Sequence, residues 1–75
     1  MMTTEMKNKL IAQLREELED YDTYEMMAHD YDYPCKQVLM DIAHEEKTHA
    51  HHLHDIMKRH NVEVPSELEH KLKNT

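Results

Sequence analysis

Glu17, Glu46 and His49 belong to the residue types that hold transition metals, carboxylate and imidazole, and each stands where a helix face is otherwise apolar. In alternating steps of four and three, Cys35, Leu39, Ile42, Glu46, His49, Leu53, Ile56 and His60 trace one stripe of a helix. The same rhythm upstream joins Leu10, Leu14, Glu17, Tyr21, Tyr24, Ala28 and Tyr31. A stripe of this kind faces a partner, so the spacing predicts that the three polar residues are buried. An unpaired carboxylate or imidazole there costs on the order of several kcal/mol. A metal ion would offset that cost.

Spacing alone is a weak signal. Sixteen acidic residues and eight histidines in 75 positions give an acid-x-x-His pair by chance roughly once or twice. Asp41/His44 and Glu67/His70 share the spacing but lie off the stripes, which makes them solvated surface pairs. His44-Glu45 begins like a zinc-protease helix motif, but the next imidazole on offer, His49, follows after five residues. Five residues turn a helix by about 140°, so the two rings cannot share a face. His44, His51, His52 and His54 read as a solvated outer face open to adventitious metal.

The elements that must position the three residues can be placed from local signals. A first helix spans about 4–30, capped by Thr3 or Thr4 with Glu5 in its first turn. Asp30-Tyr31-Asp32-Tyr33-Pro34 breaks the pattern; Pro34 suits a first helical turn and Asp32 its cap. A second helix follows over about 34–60, stopped at Asn61 with Pro65 soon after. Ser66-Glu67-Leu68-Glu69 has the form of a capping box opening a short helix over about 66–73, whose edge of Leu68 and Leu72 packs within or between chains. The fold class is therefore all-α, one antiparallel hairpin plus a short third helix.

If the hairpin folds about residue 31 or 32, residues at one level have numbers summing to about 63. Glu17 and Glu46 satisfy that sum, so the two carboxylates meet. One hairpin then offers Glu17, Glu46 and His49, half of a ligand set. Two hairpins in a four-helix bundle offer the arrangement of dimetal carboxylate proteins, a Glu from each of two helices and Glu-x-x-His from each of the other two. The expected activity is oxidation of Fe(II) by dioxygen at a di-iron centre shared between two chains, one iron per chain. Manganese, zinc or calcium are possible substitutes. Tyr21 and Tyr24, one and two turns beyond Glu17, could support the ligands or be ordinary core residues.

Length and composition agree with these readings. A chain of 75 residues forms at most one small domain, and a hairpin of this size cannot enclose a core of its own, so a partner copy is expected. Glycine is absent, proline occurs twice, and a third of the residues are charged, which favours helices. The net charge of −7 argues against nucleic acid or an anionic membrane surface as partner. Cys35, the one cysteine, leaves no disulfide framework or thiolate zinc cluster and reads as a small apolar helix residue. No apolar run approaches the ~20 residues of a membrane span, and the expected location is the cytoplasm.

Arg15-Glu16-Glu17-Leu18-Glu19, then Asp22 and Tyr24, then Glu45-Glu46-Lys47-Thr48-His49-Ala50, resembles the encapsulated ferritins, two-helix relatives of ferritin and rubrerythrin. The similarity spans most of 10–60, in order. It implies a ferroxidase centre formed at a dimer interface, with dimers assembled further into a ring and, in members that carry a targeting tail, residence in an encapsulin shell. By position, Glu17, Glu46 and His49 match the family's iron ligands, Tyr24 a tyrosine beside the centre, and Glu16 and Glu19 acidic residues on the route of metal entry. Thr23 stands where the family commonly has tryptophan, and the chain ends in Lys71-Leu72-Lys73-Asn74-Thr75 rather than in an apolar shell-targeting tail. Two alternatives remain. One is a rubrerythrin-like peroxidase using the same metals; the other is a helical dimerisation or metal-binding module without redox turnover, its polar residues setting register.

Overall fold

A computed structural model describes residues 2–75; Met1, within the expected domain of 1–75, lies outside the described residues. Three helices follow one another, α1 (Thr4–Ala28), α2 (Cys35–Arg59) and α3 (Ser66–Lys73). α1 and α2 form an antiparallel hairpin, and among the described residues there is no strand. The molecule is a rod of 47 × 18 × 17 Å.

Local chemistry sets the helix ends. Thr3 caps α1, its Oγ1 accepting from the Met6 N–H at 3.1 Å, and Glu5 sits in the first turn, where the helix dipole favours it. α1 ends at Ala28, two residues short of the expected boundary. At the far end of α2 the stop is Asn61, in the left-handed region with φ 54°, a conformation asparagine tolerates better than most residues. The Asn61 N–H donates to the Lys58 carbonyl at 3.2 Å and the Val62 N–H to the Met57 carbonyl at 2.9 Å. That pair of bonds is a Schellman motif, completed by apolar burial of Val62 and Met57.

Two expected caps do not form. α2 begins at Cys35 with Pro34 in the cap position and no side-chain cap. Asp32 instead contributes its backbone carbonyl, to the Lys36 N–H at 3.0 Å. In α3, Ser66 is already helical and Pro65 occupies the cap position, so the expected capping box is not made. Carbonyl acceptance by Pro65 from Leu68 and Glu69, each at 3.0 Å, closes that first turn.

The seam between α1 and α2 keeps Leu14 and Ala28 of the expected α1 stripe, and on α2 it runs one position away from the expected stripe. It is built from Leu14, Leu18 and Ala28 on α1 and from Ala43, Ala50 and Met57, spaced by sevens, on α2. Alanines let the helix axes approach, which pushes the larger Leu39, Ile42 and Leu53 to the flank, where they are half-buried. Cys35, Ile56, His60 and Tyr31, all expected in the buried stripes, are exposed. α3 then lies along α1, inserting Leu68 and Leu72 over Leu14, Leu18, Ala50 and Met57. It is held there by Arg15 to Glu67 at 3.0 Å and Lys71 to Asp22 at 2.8 Å. The edge of α3 thus packs within its own chain, and burial of each such leucine is worth about 1.5–3 kcal/mol.

Candidate metal centre

Glu17 from the middle of α1 and the Glu46/His49 pair from the middle of α2 come together on the flank of the hairpin that α3 leaves open. One ligand atom from each lies within 4.8 Å of the others. His49 Nδ1 is 3.4 Å from Glu17 Oε2 and 3.9 Å from Glu46 Oε1. The carboxylates are well covered, with 15% and 17% of their side-chain surface exposed, whereas His49 is 54% exposed. The expectation of a buried imidazole is therefore corrected: the seam shift places His49 on the outer edge of the open flank.

Electrostatics within the group are set by the two carboxylates. The Glu17 and Glu46 carboxylates lie close together, and burial disfavours a second negative charge there. Glu46 is pushed up to about 7, chiefly by the neighbouring Glu17 carboxylate, which favours its protonated form, and then by burial. Glu17 is held below the usual carboxylate range, first by Glu46 and then, against the opposing effect of burial, by Gln13 and His49.

Gln13 was not anticipated from the sequence. Its Nε2 donates to Glu17 Oε1 at 3.2 Å, an i,i+4 contact that its position one turn before Glu17 makes available. Glu17 Oε2 is left buried with no hydrogen-bond partner, because the His49 nitrogen near it is not in hydrogen-bonding geometry. A buried carboxylate oxygen without a hydrogen-bond partner calls for an explanation, and a bound cation is one. The set of two carboxylates and an imidazole suits iron, manganese or zinc.

The other expected residues are placed as follows. Tyr24 and Tyr21 are both half-buried on α1, and neither belongs to the converging group. The Tyr21 phenol is raised by the adjacent Glu25 carboxylate and by burial. Glu16 and Glu19 are exposed. Of the histidines expected on the outer face, His44 and His52 are exposed, but His51 and His54 are half-buried. Burial lowers the His54 pKa, with Lys58 adding to the effect.

Among the described residues no helix is long and apolar enough to cross a membrane. Comparison with protein families, with characterised proteins and with solved structures found no match to this chain.

Proposed function

We propose that two copies of this chain share a dimetal centre built from Glu17, Glu46 and His49 of each, and that it oxidises Fe(II) with dioxygen. The observation that carries this reading is the buried, unpartnered Oε2 of Glu17 facing His49 and Glu46. Three ligand residues leave a divalent ion of this class short of its usual coordination, and pairing two hairpins would let each of two ions draw on carboxylates of both chains. Iron held by Glu17, Glu46 and His49 would supply one electron from each Fe(II), so that two ions and two protons would reduce one dioxygen to hydrogen peroxide.

The protein's own groups prepare the site. Gln13 fixes one oxygen of Glu17 and so aims the other inward. Glu46, half-protonated near neutrality, gives up its proton when a cation arrives, so metal uptake releases protons and weakens as pH falls below about 7. Glu17 stays ionised throughout that range and supplies the first attraction for the incoming ion. His49 stands at the open edge, where the second copy would close over it.

Dioxygen and hydrogen peroxide consumption, measured on Fe(II)-loaded protein and on Glu17→Ala and His49→Ala variants, tests the activity. Oxygen uptake tied to iron oxidation, lost in both variants, supports ferroxidase function. Turnover with peroxide alone would make the protein a rubrerythrin-like peroxidase. Undiminished oxidation in both variants would remove these residues from the reaction.

A further inference from the structure

The end of the rod at the hairpin tip carries a surface that the metal centre does not use. Every residue from 29 to 38 is exposed. Among the described residues seven large apolar side chains are exposed, and five of them lie here: Met26, Met27, Tyr31, Tyr33 and Val38. Exposure reaches 71% at Met26 and 83% at Tyr33. Charge collects at the same end. Residues 20–41 hold six carboxylates, Asp20, Asp22, Glu25, Asp30, Asp32 and Asp41, against one lysine, Lys36, and so carry five of the seven net negative charges of the chain. Lys71 offsets Asp22. Among the described residues no ion pair engages Asp30 or Asp32, and both are exposed.

Neither α3 nor a copy seated on the open flank covers this surface. α3 stops two residues after its Lys71–Asp22 pair, whereas Met26 is a full turn beyond Asp22. Met26 also follows Glu17 by nine residues, which is about two and a half turns, and so projects from the opposite side of α1. Tyr33 lies in the turn, outside both helices. We infer that the hairpin tip docks a basic amphipathic segment of a different protein, its lysines or arginines meeting Asp30 and Asp32 and its apolar side chains covering Met26, Tyr31 and Tyr33. Each part of the surface has its counterpart in such a segment. Methionine adapts its shape to an apolar helix face, and exposed tyrosine rings accept a lysine or arginine on their faces. The concentrated negative charge steers a cationic partner to this end. Two tips of this chain would instead bring like charges together. The inference stands apart from the reading of the metal centre, because none of the three ligands takes part in it.

The test titrates the full chain with a synthetic helical peptide of lysine and leucine, its leucines along one face, and follows binding by fluorescence and by amide NMR shifts. The same peptide with glutamate in place of lysine, or with serine in place of leucine, is the control. The lysine–leucine peptide is expected to bind, to shift the amide signals of residues 26–38 and to be released by salt, and neither control should match it. Asp30→Asn/Asp32→Asn and Met26→Gln/Tyr33→Gln should each weaken binding about tenfold. Helix content by circular dichroism should stay unchanged, since all four side chains are exposed. Failure of the peptide to bind, equal binding of either control, shifts centred on Glu17 and His49, or undiminished affinity in either double variant would overturn the proposal. A rise in native mass of the protein alone, abolished by Met26→Gln/Tyr33→Gln, would give the surface to a second copy and overturn it as well. Neither double variant removes a metal ligand, so peptide binding can be lost while iron uptake persists, and the reverse.

Discussion

The two flanks of the hairpin follow opposite rules. On the flank covered by α3, Leu14, Leu18 and Met57 meet Leu68, Leu72 and Val62, every one of them buried, and two ion pairs fasten the rim. On the other flank a carboxylate oxygen has no partner, a carboxylic acid is pushed up to about 7, and apolar side chains stand exposed. The first flank completes the fold of a chain too short to waste apolar area. The second leaves charge and surface unsatisfied, as binding sites commonly do. The packed core and the proposed site thus lie on two sides of the same pair of helices, and substitutions should separate them.

The largest effects belong to the closed flank. Leu18→Ala or Met57→Ala leaves a cavity in fully packed surroundings and should cost about 2–5 kcal/mol, enough to unfold a domain of this size, as urea titration followed by circular dichroism would show. An equally large loss from Ile56→Ala, which is exposed in the single chain, would erase the distinction between the flanks.

Next in size is the pH response of the open flank. Glu46 has a folded-state pKa raised from 4.5 to about 7, so the folded chain binds a proton that the unfolded chain has released. The stability tied to that proton is complete below pH 4.5, declines as pH rises, and is lost above about 7. The loss is of order 2 kcal/mol, and urea midpoints compared at pH 5 and pH 8 on metal-free protein measure it. Glu46→Gln, which cannot ionise, should remove this dependence without weakening the fold at pH 8. Persistence of the full dependence in that variant would assign it elsewhere.

Smaller still are the ion pairs at the rim of α3. Arg15→Ala and Lys71→Ala each remove one exposed pair and should cost less than about 1 kcal/mol, and less again in high salt. Thermal melts with and without added salt would detect a larger contribution.

These contrasts also explain what could be read from the sequence. The helix ends were legible wherever a single residue decides them, as at Thr3 and Asn61. The meeting of Glu17 with Glu46 followed from the level rule, since the turn centres where Pro34 and its neighbours require. On α1 the buried Leu14 and Ala28 lie on the predicted stripe, but the α2 side of the seam was not legible. A stripe of large hydrophobes marks a buried or partner-facing edge, but nothing local says whether the partner is the chain's own second helix or another copy. The hairpin chose the small Ala43 and Ala50 for its own contact and left Val38, Ile42, His49 and Ile56 toward the outside. Exposed His49 and Cys35 follow from that choice. The caps at Asp32 and Ser66 failed for a related reason, because each competes with a proline that already holds the cap position.

Anaerobic titration of the protein with Fe(II), followed by admission of air, with absorbance and native mass recorded at each step, tests the shared centre most directly. The account predicts saturation at about one iron per chain in a species of two chains, with an oxidation band absent from Glu46→Ala. A dimer that takes up no iron, or iron bound at full stoichiometry by the Glu46→Ala variant, would contradict it.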